Sequence, residues 1–246
     1  MKNARRPKHD KVPSAVVIAG VIALVVGGLT IVGGVVYLML TPNDSTPAVQ
    51  TSMDLIAADT TDGIAVGPLS AQETRQQLRQ TVRSASAPAS PGDIRVFPVL
   101  RTDGDKTQMP LTDLFTRLSS TVPGSLLQIA GPQYVFGIIG PDKVPFFVFS
   151  VENTGKAYGP MREWERTMGS DLGAVLSPTN QADAGSFSTR VVSNKEARVY
   201  TASADTPIVS YMFLDDTTVA ITSTPTVLDA LRSARRSADR FSMDAS

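Results

Sequence analysis

The sequence predicts an α+β protein in which an N-terminal transmembrane helix precedes an antiparallel sheet. The sheet is expected to consist of hairpins that alternate with helices, and the helices are expected to lie mainly on one face. Two observations support this fold class. A long uncharged segment follows a basic N-terminus, and the rest of the chain alternates short apolar runs, joined by turn sequences, with apolar residues at helical spacing.

The anchor is predicted from residues 1–40. The tail of residues 1–13 carries five basic side chains against Asp10 alone, and residues 14–40 contain no charged side chain. This uncharged segment is longer than the roughly 20 helical residues that cross a bilayer. We expect an uncleaved single-pass helix in the plasma membrane, with the N-terminus cytoplasmic and the C-terminal domain extracytoplasmic because basic residues stay inside.

Small residues recur at every fourth position of the predicted span. Such a ridge lets a second helix approach closely, and it would support a homo-oligomer. The alternative is that alanine and glycine are simply common in bacterial spans. The candidate helix-packing residues are Ala15, Ala19, Ala23 and Gly27.

Composition divides the exported part into three segments. Residues 41–68, rich in Thr, Asp, Pro and Ala, are predicted to be a tether with one short strand near Ile64–Val66. Residues 69–236 form the predicted α+β domain, and residues 237–246 a flexible tail. The domain opens with a capping box, Ser70 to Glu73, which predicts a polar helix to about Arg83.

The next elements follow from apolar spacing. Ile94–Leu100 is predicted to be a strand, and residues 111–118 a short helix. Tyr134–Ile139 and Phe146–Val151 are apolar runs joined by GPDKVP, which indicates a hairpin. The second run, FFVFSV, is apolar on both faces, so we expect a central strand that is covered on both sides.

The C-terminal part repeats this alternation of strands and helices. A helix is predicted over Met161–Leu176, and a last helix opens at Pro225 behind Ser223 or Thr224. The turn LDDTT, which contains Asp215 and Asp216, joins the last two predicted strands. The four strands predicted between these helices are Phe187–Val192, Ala197–Thr201, Ile208–Leu214 and Thr218–Thr222.

The only tryptophan of the chain, Trp164, raises the question of a ligand site. With Arg162 and Glu165 it could form an aromatic platform for a sugar or a peptide. On a helix, however, Trp164 falls in one apolar stripe with Met161 and Met168, which favours a core position. Arg162 and Glu165, three residues apart, are expected to form a surface ion pair.

Composition also limits the chemistry. The chain has no cysteine, and its only histidine, His9, lies in the tail, so thiolate and imidazole chemistry is excluded from the exported part. Beyond the tail, 18 basic and 22 acidic side chains give a net charge of about −4, which argues against nucleic acid as a partner. No catalytic residue, cofactor or metal site is predicted, and the protein is not expected to be an enzyme.

Three pieces of the sequence carry a resemblance: LSAQETRQQLRQTV, the stretch from Tyr134 to Gly173, and ARVYTASADTPIVSYMFLDDTTVAITSTPTVLDAL. Over roughly residues 69–233 the chain resembles an uncharacterised family of single-pass, membrane-anchored, extracytoplasmic proteins from ultrasmall bacteria of the candidate phyla radiation. Met161, Trp164 and Glu165 fit the family's Met-x-x-Trp-Glu helix. The resemblance implies topology and cell type, and it implies no activity.

The sequence therefore predicts a non-catalytic interaction or scaffold protein of the bacterial envelope, with a protein partner or a second copy. The alternatives are a peptide- or sugar-binding sensor domain and an accessory inner-membrane component of a pilus-like assembly, the latter by analogy of fold alone. A carboxylate-dependent cell-wall hydrolase is a further alternative. The sequence does not identify a small-molecule ligand.

Overall fold

The computed structural model describes residues 55–58, 60–61, 63–67, 69–102, 107–118, 120–177, 185–202 and 206–244. The predicted cytoplasmic tail, the predicted transmembrane segment and its candidate packing residues lie outside this part; those residues are Ala15, Ala19, Ala23 and Gly27. In the described part, no helix combines the length and apolar character that a membrane span requires.

Two sheets organise the described residues. The larger one has eight strands in the order β1-β3-β5-β6-β10-β9-β8-β7, and the smaller one pairs β2 with β4 in parallel. Neighbours in the large sheet are antiparallel except β1 and β3. The strands are β1 Thr60–Thr61, β2 Ile64–Val66, β3 Ile94–Val96, β4 Val99–Arg101, β5 Ala130–Ile139, β6 Val144–Val151, β7 Ser186–Val192, β8 Lys195–Thr201, β9 Pro207–Phe213 and β10 Thr218–Thr222.

Five α-helices accompany the sheets in the described part. They are α1 Ala71–Ser84, α2 Leu111–Arg117, α3 Gly124–Ile129, α4 Thr154–Leu176 and α5 Leu228–Asp244, the last preceded by a 3-10 turn at Pro225–Val227. The capping box that opens α1 is confirmed, because Ser70 accepts from the Glu73 amide and the Glu73 carboxylate accepts from the Ser70 amide. The mixed α+β class with a large antiparallel sheet is also confirmed.

The centre of the large sheet is the apolar strand β6. It pairs with β5 on one side and β10 on the other, in a register that sets Phe146 opposite Thr222. Phe147 and Phe149 belong to the apolar cluster on one face, and Phe146 and Val148 to the cluster on the other. The prediction of a central strand covered on both sides is therefore confirmed.

Each face of the large sheet has its own apolar cluster. Side chains from α1, α2, α3 and α4 belong to the larger cluster, which includes Leu78, Phe115 and Trp164. The smaller cluster, on the opposite face, contains Leu228 and Leu231 of α5. Four helices thus pack on one face, and the C-terminal helix packs on the other.

The run predicted as one strand, Ile94–Leu100, is divided at Pro98. The ring of Pro98 leaves no N–H for a ladder hydrogen bond, so the chain leaves the large sheet after β3 and enters the small sheet as β4. The Pro98 carbonyl still accepts from the Ile64 amide, at 2.8 Å. The single strand predicted here is wrong, and the break connects the two sheets.

Helix α4 begins earlier than the predicted Met161. Asn153 caps it by accepting from the Lys156 amide at 2.9 Å, and the helix continues through Pro160 in its first half. Gly155, Gly159 and Pro160 have low helix propensity, so they do not favour this first part of the helix. Burial of Ala157, one turn before Met161, gives this first part a packing contribution of its own.

The ends of the domain also differ from the predicted segments. Leu55 and Ile56, placed in the tether by composition, are buried in the smaller cluster, and Ile64–Val66 forms β2. At the other end, residues 237–244 continue α5 where a flexible tail was predicted, and Ala238 is buried. Packing of isolated apolar residues outweighs the polar composition at both ends.

Candidate functional site

Trp164 is a core residue. It is 1% exposed, and its ring meets Phe115 edge-on with ring centres 5.4 Å apart. An indole buried to this extent has no exposed face to stack on a ligand, and it occupies the core position that helical spacing favoured over an aromatic platform. The helical stripe explains its position, because Met161 and Met168 are likewise buried.

The indole N–H of Trp164 has a buried partner on the same helix. It donates to Asp171 Oδ2 at 2.8 Å, and that oxygen also accepts from the Thr121 amide at 2.9 Å and the Thr121 hydroxyl at 3.0 Å. Ser120 Oγ adds a longer contact of 3.3 Å. Asp171 therefore fastens the segment before α3 to α4, and its role is structural.

Glu165 lies beside Trp164 but faces the strands. Its carboxylate accepts from Arg198 through two bonds, Nε to Oε1 at 2.8 Å and Nη2 to Oε2 at 2.9 Å. Tyr211 donates its hydroxyl to Oε1 at 2.8 Å, and Arg162 adds a bond of 3.1 Å. The predicted Arg162–Glu165 pair exists, but it is the outer part of a largely buried network.

The environment of this network fixes its protonation. Burial, together with the adjacent Glu165 charge, raises the pKa of Tyr211 well above its ordinary value. The hydrogen bonds to Glu165 raise the pKa of the Arg198 guanidinium as well. Tyr211 is therefore held neutral as a donor, and the Arg198 guanidinium keeps its charge.

The polar groups of this network bond to one another. Glu165 receives four hydrogen bonds, three at Oε1 and one at Oε2, and all four come from side chains of the protein itself. The neutral Tyr211 already donates its only proton. In the described part of the chain, no group of three or more acidic or histidine side chains could hold a metal ion. What the network does is hold β8 and β9 against α4.

A shallow cleft of about 210 Å³ opens next to this network. Tyr158 stands at its edge, 44% exposed, and its ring stacks on Phe213 with centres 6.4 Å apart. The walls carry charges of both signs, including Lys195 and Asp216. The cleft therefore offers mixed charges and one exposed aromatic face, that of Tyr158.

The most exposed apolar side chain near the network is on β7. Val191 is 76% exposed, and β7 is the last strand of the large sheet, with β8 on one side only. Arg198 reaches across from β8 to donate to Thr189 Oγ1 at 2.6 Å. The Glu165 network thus anchors the hairpin β7–β8 from its inner side, and no strand of the described part pairs with its outer edge.

The sequence predicted some of these residues and missed others. Trp164, Arg162 and Glu165 are brought together on α4, but the indole faces the core while the two charged groups face β8. Arg198 and Tyr211 were missed, because only the register that sets Arg198 opposite Tyr211 reveals the pair. Asp171, two helical turns after Trp164, is the one partner that helical spacing could have indicated.

At the predicted turn between β9 and β10, Asp215 makes local hydrogen bonds and a bond to α5. It accepts from the Thr217 amide at 2.8 Å, and Arg235 of α5 donates to its other oxygen at 2.8 Å. Burial alone would raise the pKa of the Asp215 carboxyl. The hydrogen bonds from Thr217, Thr218 and Arg235, together with the Arg235 charge, outweigh burial and lower this pKa. The turn therefore ties α5 to the sheet.

Comparisons with protein-family models, with curated proteins and with solved structures found no match to this chain.

Proposed function

We propose that the protein is a membrane-anchored, extracytoplasmic, non-catalytic interaction or scaffold protein of the bacterial envelope. The observation that supports this role best is the edge of the large sheet at β7, which no other strand of the described residues covers. Its side chains are mostly exposed, and Val191 presents an apolar surface to solvent. An edge strand of this kind adds a strand from a partner through main-chain hydrogen bonds.

The anchor rests on sequence. Five basic side chains precede 27 uncharged residues, a combination that supports a signal anchor with its basic end in the cytoplasm. The small-residue ridge of the segment supports pairing of two anchors in the membrane, through Ala15, Ala19, Ala23 and Gly27. The resemblance to single-pass extracytoplasmic proteins of candidate phyla radiation bacteria agrees with this topology.

A non-catalytic role is supported by how the polar groups are used. Glu165, Arg198 and Tyr211 bond to one another, and Asp171 bonds to Trp164 and Thr121. Each of these buried groups stabilises the fold, and none is left to act on a substrate. The folded part also has no histidine or cysteine.

The proposal is tested with the full-length chain in native membranes. We expect it to stay in the membrane fraction after alkaline carbonate washing and to form a specific crosslinked species there. Val191→Glu is expected to reduce that species, because the glutamate places a charge on the apolar edge. Glu163→Gln, a change at an exposed position, is expected to leave the yield unchanged. Release of the wild-type chain by carbonate, or equal yields for both variants, would contradict the proposal.

A sensor domain is a second candidate, because the cleft beside Tyr158 combines an exposed ring with charged walls. A ligand bound there would contact Tyr158 and Lys195. Binding of sugars or short peptides that Tyr158→Ala abolishes and Trp164→Phe retains would favour this alternative. Unchanged binding in Tyr158→Ala would exclude the cleft as its site.

A further inference from the structure

The two ends of the large sheet are unequal. At one end, β1 has only two residues, so it offers little for another strand to pair with. At the other end, β7 has seven residues and contains neither proline nor lysine, and Arg190 is its only charged residue. Proteins usually protect an edge with short strands, prolines or lysines. The edge at β7 has none of these protections.

The hairpin turn shows which main-chain groups of β7 are free. Ser193 and Asn194 both have positive φ, 47° and 66°, as in a two-residue type I′ turn. Val192 and Lys195 therefore form the closing hydrogen-bonded pair. From there, hydrogen-bonded and non-hydrogen-bonded pairs alternate along the hairpin. The main-chain N–H and C=O groups of Arg190 therefore face β8.

By the same alternation, the N–H and C=O groups of Phe187, Thr189 and Val191 face away from β8. Within the described residues, one of these six groups has a contact outside the ladder, the Phe187 carbonyl, which lies 3.5 Å from Arg198 Nη2. That oxygen retains a second lone pair. The outer edge therefore carries three evenly spaced residues that can pair with a strand.

We propose that a second copy of this chain binds here, β7 against β7 and antiparallel, with Thr189 on the two-fold axis. An axis through Arg190 would set the two arginines opposite each other and pair only residues 188–192 of β7, and an axis through Ser188 would pair only residues 186–190. An axis through Val191 or Phe187 would pair only part of the strand. An axis through Thr189 pairs all of Ser186–Val192 and satisfies the outward groups of all three free residues.

The side chains are self-complementary in this register. Val191 lies opposite the partner's Phe187 on one face of the sheet, so the 76% exposed valine gains an apolar neighbour on each side of the axis. On the other face, Arg190 lies opposite the partner's Ser188, so no like charges stand directly opposite. This agreement of main-chain and side-chain pairing favours a second copy over an unrelated strand.

The inference rests on the proposed interaction role and names the partner at the same edge. Two chains anchored in one membrane meet at a raised effective concentration, which favours a modest interface of seven residue pairs. Dimerisation would join two eight-stranded sheets into one continuous sheet.

A chain without cysteine allows a direct test. In full-length Thr189→Cys, the two sulfur-bearing residues would face each other with Cα atoms about 5.5 Å apart, which is within disulfide range. In Val191→Cys, the two cysteines would be about 14 Å apart, since four residues separate them along the strands. Both positions are exposed, which makes Val191→Cys a matched control.

Both variants are oxidised in native membranes with copper phenanthroline, and disulfide dimers are measured on non-reducing gels. We expect Thr189→Cys to form dimer at least tenfold faster than Val191→Cys. Adding Val191→Glu to Thr189→Cys is expected to slow dimer formation at least tenfold, because the glutamate would face the partner's Phe187. Adding Glu163→Gln is expected to change nothing. Unchanged urea midpoints show that each variant is folded.

The outcomes separate this inference from the proposed function. Equal rates for the two cysteine variants would overturn the β7 pairing. So would chemical crosslinking of the wild-type chain that captures other envelope proteins and no dimer, although the interaction role would then stand. A wild-type chain that crosslinks to nothing in its native membrane would overturn both.

Discussion

Replacing Glu165 with glutamine isolates the contribution of the buried charge pair. The side chains of Glu165 and Arg198 are 11% and 10% exposed, and they make two bonds to each other. Glutamine keeps the shape, but it removes the charge and turns an amide donor toward the donors of Arg198. Leaving one partner of a buried pair uncompensated costs about 3–5 kcal/mol.

We expect about 3 kcal/mol here, at the lower end of that range, because glutamine retains one acceptor and the site keeps slight solvent access. With a urea dependence of about 2 kcal/mol per molar, the unfolding midpoint should fall by about 1.5 M. Fluorescence of Trp164, the only tryptophan, reports the transition as the buried indole enters water.

The matched control is Glu163→Gln, two residues earlier on the same helix. Glu163 is exposed, so its free energy of unfolding should change by less than about 0.5 kcal/mol. The double variant Glu165→Gln/Arg198→Met should be more stable than Glu165→Gln alone, since it removes the uncompensated charge. Midpoints of Glu165→Gln and Glu163→Gln that agree within about 0.25 M would refute this account of the network.

Three further predictions concern the core. Trp164→Ala should lower the free energy of unfolding by about 3–5 kcal/mol, measured by circular dichroism in urea, because it empties a buried site. Stability should fall as the pH rises above about 10, since the raised pKa values of Tyr134 and Tyr211 make the folded state hold protons that the unfolded state releases; Tyr134→Phe should reduce this fall. Gly137→Ala should lower the free energy of unfolding by about 1–3 kcal/mol in the same urea assay, because a Cβ would lie 2.5 Å from the Arg95 carbonyl oxygen. A decrease below about 0.5 kcal/mol would contradict this prediction. A stability that stays constant above pH 10 would contradict the prediction for the two tyrosines.

Local patterns in the sequence predicted most of the elements. The capping box at Ser70, the hairpin around GPDKVP and the strands from Phe187 to Thr222 depend on neighbouring residues, and the structure confirms them. The sequence failed where distant parts of the chain decide the result. Pro98 divides the run that was predicted as one strand, and the two halves pair in different sheets; Asn153 starts a helix that continues through Pro160.

The Glu165 network shows the same limit at the level of side chains. Arg162 and Glu165 are three residues apart, so helical spacing predicted their pair. Arg198 is 33 residues away from Glu165 and Tyr211 is 46, and their approach depends on where β8 and β9 lie over α4. Without that register, the sequence predicted only a surface ion pair that contributes little to stability. The structure has in addition the largely buried pair of Glu165 and Arg198.

The pairing of β6 with β10 also sets the time at which the domain can close. Phe146 pairs with Thr222, which is synthesised about 76 residues later, so the β6–β10 ladder cannot form before then. At a synthesis rate of roughly 5–20 residues per second, the apolar strand β6 lacks this neighbour for about 4–15 s. During that interval the apolar strand β6 is exposed on the nascent chain. We therefore expect β6 to be the main site at which a holdase chaperone binds the nascent chain.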